Sequence, residues 1–119
     1  MRLREFYSRQ VWRLGIAGIF LLSGCLRHPD LMAQGQQALE HGNYDGAVNL
    51  FSKAVASAPT GDLLEDSLRF LSKAYKAEGK DDQAAATLVR AMRVMRFCIE
   101  DRATAQGRRY CPIPPWERS

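Results

Sequence analysis

The sequence predicts an all-α protein of two antiparallel helix hairpins followed by a C-terminal capping helix. Three observations predict this fold: a pattern of small and large residues that repeats after 37 positions, a glycine at the end of two predicted helices, and an apolar stripe that continues beyond the second copy. The chain has 119 residues, a length that suits one small domain.

The first 24 residues are predicted to be a signal peptide. Residues 1–13 are basic and polar, and an apolar run over residues 14–22 leads to Ser23, Gly24 and Cys25. Nine residues rise about 13 Å as a helix, whereas the hydrocarbon core of a bilayer is ~30 Å thick. The run is therefore typical of the apolar core of a signal peptide rather than of a membrane span.

The sequence LLSGC at residues 21–25 resembles the lipobox of bacterial lipoproteins. The resemblance implies cleavage before Cys25, a diacylglycerol on its sulfur and an acyl chain on the new amine. Because Leu26 rather than Asp follows the cysteine, it also implies anchoring in the outer membrane of a Gram-negative bacterium, facing the periplasm. Residues 25–30 then form a lipidated linker. The alternatives are an ordinary signal peptide with a structural Cys25, or a chance apolar run.

Charge and composition exclude several classes of function. Residues 1–24 hold four of the 17 Lys and Arg residues and one of the 13 Asp and Glu residues, so the remainder is nearly neutral. A large surface for nucleic acid is therefore not expected. The chain has two histidines, His28 and His41, which we expect at an exposed turn and an exposed helix end. It has no HExxH, CxxC or glycine-rich phosphate motif, so neither an enzyme nor a metal site is expected.

The cysteines predict one disulfide. If Cys25 carries lipid, Cys98 and Cys111 remain, and the periplasm is oxidising. A bridge between them closes a loop of about 14 residues and contributes roughly 3 kcal/mol in the chain-entropy model. The alternatives are two free buried thiols or a metal pair, and a metal needs three or four ligands.

The repeated pattern is that of an antiparallel helix pair. Small residues let two helix axes approach, and larger residues fill the spaces between them. Gly42 and Gly79 are placed where a helix ends with positive φ, Asn43 is placed to cap the next helix, and Pro59 ends the helix before it. The first copy has Leu31, Gly35, Ala38, Ala47, Phe51 and Ala54, and the second has Leu68, Ser72, Tyr75, Ala84, Leu88 and Ala91.

This spacing resembles the tetratricopeptide repeat. The two copies cover about residues 28–61 and 65–98, within a repeat region of 31–98. The second departs from the first in having Asp81 in place of Tyr44 and Arg96 in place of Pro59, so its last helix is expected to run past residue 95. A three-residue insertion within residues 60–62 is expected to lengthen the turn between the copies. The alternative is a four-helix domain with accidental spacing.

Residues 99–119 are predicted to end the capping helix and form a Pro-rich tail. We expect Gly107 and the prolines from residue 112 to stop the helix and favour extended backbone, and Cys111 to tie the tail back. A tail that docks a partner is the alternative to simple capping. Val94, Met95, Cys98 and Ile99 are expected to cover the second hairpin, and Tyr110, Ile113 and Trp116 to lie on apolar surface.

A ligand groove is expected across the first helices of the two pairs. By resemblance to the family, these helices line a surface that holds peptides or helices of partner proteins, here an acidic segment or a C-terminal carboxylate. The alternative is a solvated face that pairs locally with Glu65 and Asp66. The predicted groove residues are Met32, Gln36, Glu40, Arg69, Lys73 and Lys76.

Together these features predict a non-catalytic protein–protein adaptor in envelope, secretion or pilus assembly, and within that class a pilotin-like lipoprotein. No small-molecule substrate and no cofactor other than the covalent lipid are expected. The alternative is a structural accessory subunit permanently buried in an envelope complex.

Overall fold

The structure is a computed structural model that describes residues 27–105 and 107–118. These residues form helices and no strand, which confirms the all-α fold class. Cys25 and the predicted signal peptide lie outside the described residues, and residues 28–30, predicted as linker, form the first turn of a helix. The elements are α1 (His28–Glu40), α2 (Tyr44–Ser57), α3 (Gly61–Ala77), α4 (Asp81–Thr104) and a 3₁₀ turn (Pro115–Glu117).

The two tight connections form where the glycines predict them. Gly42 follows α1 with φ of 76° and Gly79 follows α3 with φ of 80°, a backbone conformation that a residue without Cβ adopts freely. Asn43 caps α2, because its Oδ1 accepts a hydrogen bond of 3.1 Å from the backbone N–H of Gly46. Each connection is short, and the two helices that it joins pack against each other.

The connection between the two pairs differs from the prediction. Ala58 is extended before Pro59, and α2 ends at Ser57 as expected. The inserted residues, however, do not lengthen a turn. The Thr60 hydroxyl caps α3 at 3.3 Å, and helix begins at Gly61, because a Thr with extended backbone is a good helix start.

Small residues bring the helices of each pair together. Gly35 of α1 lies against the fully buried ring of Phe51 on α2, where an added Cβ would be 2.5 Å from the ring. Ala47 and Ala54 of α2 are also fully buried. In the second pair, the Ser72 hydroxyl donates a 2.7 Å hydrogen bond to a backbone oxygen of α4. A larger residue at any of these positions would push the axes apart.

The apolar core has two parts, and α3 contributes to both. One part lies between α2 and α3 and contains Ala47, Phe51, Leu71 and Ala74. The other lies between α3, α4 and the tail and contains Leu64, Leu68, Ala91, Val94, Cys98 and Cys111. The tail is therefore a structural part of the second core.

A junction joins the tail to the start of α3. The backbone N–H of Gly61 donates to the Cys111 oxygen at 2.8 Å, and the Cys111 N–H donates to Asp62 Oδ2 at 2.9 Å. Arg102 of α4 forms an ion pair with the same carboxylate. The sulfurs of Cys98 and Cys111 lie at disulfide distance, with their Cα atoms 5.3 Å apart. We refer to these five residues as the tail junction.

The rest of the tail lies along α4. The sequence predicts that Tyr110, Ile113 and Trp116 lie on apolar surface, and the structure agrees for part of this set. Ile113 packs against the second core, and Trp116 meets the Phe97 ring edge to face at 5.3 Å but keeps about half of its surface exposed. Tyr110 is 64% exposed, so the expectation that it lies on apolar surface is wrong.

Candidate functional site

The three predicted basic residues of α3 all lie on the surface. Arg69 Nη1 is 3.4 Å from Glu65 Oε1, one turn earlier, so the local pairing considered for this face is present at Arg69. The Lys73 ammonium lies 4.8 Å from the centroid of the Phe70 ring. Lys76 is exposed one turn further on. The helix thus presents three cations over about two turns.

The position of Lys73 depends on the first core. Phe51 is fully buried, and the Phe70 ring stacks on it with centroids 5.4 Å apart and planes at 29°. Phe70 in turn carries the Lys73 ammonium, a cation–π contact worth about 0.5–1 kcal/mol at an exposed site. The first core thus supports the ring that lies beneath this cation.

The cations differ in how readily they can accept a partner's carboxylate. Burial raises the pKa of the Glu65 carboxyl, and Arg69 opposes that rise. Arg69 therefore already lies beside a carboxylate of its own helix. No ion pair to Lys73 is present among the described residues. Lys76 has no ion pair among these residues either, so Lys73 and Lys76 both differ from Arg69 in having no carboxylate partner there.

The α1 side of the predicted groove has less exposed surface than the α3 side. Met32 is half-buried and packs against the first core, which leaves part of its surface accessible. Gln36 is half-buried beside the Gly35 contact, and Glu40 is exposed at the end of the helix. Three of the predicted residues, Arg69, Lys73 and Lys76, lie together on one exposed face of α3, and we take this basic face as the candidate site.

His28 is buried, contrary to the prediction that it is an exposed turn residue. Its Nε2 lies 2.7 Å from the Ser67 Oγ on α3. The Ser67 hydroxyl donates its only proton to the Leu63 oxygen at 2.6 Å, so the histidine Nε2–H must donate to Ser67. Burial lowers the pKa of His28, and nearby Asp66 only partly offsets this. His41 is exposed at the end of α1, as expected.

An exposed apolar surface on α4 was not expected from the sequence. Leu88 was predicted to fill the second hairpin, and Met95 and Ile99 to cover it, but all three are 41–57% exposed. The inner side of α4 is instead occupied by Ala91, Val94 and Cys98. The 4-3-4 spacing of the exposed residues was the signal that sequence reasoning overlooked. We define the α4 stripe as Leu88, Met92, Met95 and Ile99.

Two further observations concern metals and membranes. Within residues 27–105 and 107–118, no group of three or more His, Cys, Asp or Glu side chains is placed to hold a metal ion. None of the helices in this part of the chain is both long and apolar enough to cross a membrane.

Comparison with protein-family models, with curated proteins and with solved structures finds no significant match to this chain.

The buried His28 predicts that stability decreases in mild acid. Its pKa is lower in the folded than in the unfolded chain, so between the ordinary value of 6.5 and the lowered folded value the unfolded chain binds more protons. The free energy of unfolding should therefore fall as the pH drops below 6.5. Denaturant titrations at several pH values measure this, and His28→Gln should give a flatter profile than the wild-type chain.

The exposed histidine supplies the control. His41→Gln should keep the pH profile of the wild-type chain, because His41 is exposed and makes its hydrogen bond within its own helix. A His28→Gln profile as steep as that of the wild type would show that this histidine does not govern acid sensitivity.

Proposed function

We propose that this chain is an outer-membrane lipoprotein of the tetratricopeptide class that binds a partner protein in the periplasm. In this proposal the lipid on Cys25 holds the protein at the membrane, and two helix hairpins present the basic face of α3. The protein is non-catalytic and acts as an adaptor in envelope, secretion or pilus assembly. A pilotin-like role, in which it carries a subunit to the outer membrane, is the sharpest form of this proposal.

One observation carries the repeat interpretation. Three pairs of small residues separated by 37 positions are buried in both hairpins, although Leu88, the counterpart of the buried Phe51, is exposed. Small buried residues in the same register relative to Gly42 and Gly79 support a repeat over accidental spacing. The buried pairs are Gly35 with Ser72, Ala47 with Ala84, and Ala54 with Ala91.

The binding proposal rests on the α3 face. Lys73 is held by an aromatic ring, and Arg69 and Lys76 lie one turn to either side. Fixed cations favour a carboxylate because less conformational entropy is lost on binding. The ligand we propose is therefore an acidic segment or the C-terminal carboxylate of a protein.

The exposed α4 stripe favours a second candidate, a structural accessory subunit permanently buried in an envelope complex. Soluble monomers rarely expose a contiguous apolar patch of this kind unless it is an interaction site. The two candidates differ in lifetime: an adaptor releases its partner, whereas an accessory subunit copurifies with its complex in fixed stoichiometry.

The lipid anchor predicts the outcome of one substitution. Cys25→Ser removes the sulfur that would carry diacylglycerol, so the protein should move from the membrane fraction to the soluble periplasm. Cell fractionation and incorporation of labelled palmitate measure both effects. A Cys111→Ser chain should still incorporate palmitate. A wild-type chain that takes up no label, with a Cys25→Ser chain that stays membrane-bound, would contradict lipidation.

The basic face predicts the effect of reversing one charge. Lys73→Glu should weaken binding of the partner by about 10- to 100-fold, because it places like charges together at the contact. Folding should change little, since the residue is exposed. The measurement is crosslinking in intact cells, followed by identification and quantification of the captured protein.

A matched charge reversal elsewhere distinguishes an effect at the basic face from an effect of the changed net charge. Lys53 is exposed on α2, away from the basic face, and Lys53→Glu should leave capture unchanged. Added salt should weaken wild-type binding, because exposed charges are screened. Equal capture by the Lys73→Glu and Lys53→Glu chains would mean that the basic face does not bind the partner.

A further inference from the structure

Helix α4 is apolar on two sides, and the described chain covers one of them. The inner side faces α3 and contains four buried residues: Ala84, Ala91, Val94 and Cys98. The outer side is the α4 stripe, which continues into a groove of about 700 Å³ bordered by Val89, Arg93, Arg96 and Glu100. A helix that is apolar on both sides is usually buried on both.

The spacing of the α4 stripe indicates what shape covers it. Leu88, Met92, Met95 and Ile99 follow one another at intervals of four, three and four residues. This is the heptad spacing by which one helix packs along another at a shallow angle. The stripe therefore fits a helix lying nearly parallel to α4 rather than a loop or a strand.

We propose that the α4 stripe is a dimer interface, in which α4 of a second copy packs antiparallel against it. An antiparallel arrangement about a two-fold axis places Leu88 opposite Ile99 of the second copy. It places Met92 opposite Met95 of the second copy. Every apolar side chain of the stripe then meets another, and the flexible methionines at the centre can adjust to each other.

The polarity of the opposite end of the molecule favours this pairing over a head-to-tail stack. The exposed positions of α1 include Gln34, Gln37 and Glu40, which make a polar face suited to solvent. Stacking the α4 stripe on that face would bury amides and a carboxylate against apolar side chains. A two-fold arrangement instead places the same apolar surface on both sides of the contact and closes at two copies.

The charged border of the groove is compatible with the pairing. In this register Arg96 lies beside Val89 of the second copy rather than beside another arginine. Its aliphatic part can cover the valine while its guanidinium stays in water. Arg93 and Glu100 lie further from the axis, at the edge of the groove. No like charges are forced together in the interface.

Two-fold pairing is tested by the mass of the protein in solution. The full chain with Cys25→Ser is used, so that copies cannot associate through the lipid. Sedimentation measurements at protein concentrations of about 1 to 100 μM detect dimers of weak to moderate affinity. We expect the mass of a dimer. Met92→Glu should raise the dissociation constant by about 100-fold or more, because each copy would bury an unpaired carboxylate. Since Met92 is 56% exposed, circular dichroism should show unchanged folding.

Two further variants test whether any loss of dimerisation is specific to the α4 stripe. Ala86→Glu places the same charge on an exposed position of α4 outside the stripe, and this chain should remain dimeric. A Met95→Lys chain should be monomeric alone but should pair with the Met92→Glu chain, because these positions face each other across the axis.

The result that overturns the proposal is a wild-type mass of one copy throughout, or a Met92→Glu chain that dimerises as well as the wild type. The stripe would then belong to a different protein or to a lipid surface. Neither the lipid anchor nor binding at Lys73 enters this proposal, so it can fail or succeed independently of the adaptor function. It competes with the accessory-subunit candidate, because a dimer would cover the α4 stripe on which that candidate rests.

Discussion

The attachment of the tail to the first turn of α3 is the constraint on which the second half of the structure depends. Cys111 meets α3 through its backbone, and its sulfur meets Cys98 on α4. Gly61 has no room for a side chain, because an added Cβ would lie 2.6 Å from the Pro112 oxygen and 2.7 Å from the Cys111 sulfur. Asp62 takes the Cys111 N–H and the guanidinium of Arg102, so one carboxylate joins α3, α4 and the tail.

This constraint explains how the described helices close the second core. That core is completed by Cys111 and Ile113 from the tail. Because the tail lies along one side of α4, it leaves the opposite stripe exposed. The same arrangement leaves the basic side of α3 accessible, with Lys73 held over Phe70. The docked tail thus determines which surfaces of α3 and α4 remain exposed.

The features predicted well from the sequence are those determined by a few neighbouring residues. Gly42 and Gly79 end helices because of their backbone freedom, and Asn43 and Pro59 act on the turns beside them. The all-α fold class follows from these signals and from periodicity. The class of repeat and the function rest on the resemblance and remain proposals.

The features that the sequence analysis missed depend on contacts between residues that are far apart in the sequence. His28 is buried because Ser67, 39 residues away, lies beside it. Leu88 and Met95 lie on a helix with two apolar sides, and local periodicity does not indicate which side α3 and the tail will cover. Aligning the second copy with the first leaves Gly61 in a three-residue insertion. In the structure, the Thr60 cap starts α3 at Gly61, so this residue belongs to the helix.

The most direct test of the tail junction is the free energy of unfolding of the Cys25→Ser chain with and without a thiol reductant. Reduction removes no heavy atom; it breaks the bond between the two sulfurs and adds a hydrogen to each, so any change reports the link between Cys98 and Cys111. The account predicts a loss of about 3 kcal/mol, with hydrogen-exchange protection lost from the start of α3 and retained in α1 and α2. A chain with Cys111→Ser should not respond to the reductant. Equal stability and equal protection in both conditions would contradict the view that the tail junction holds the second core together.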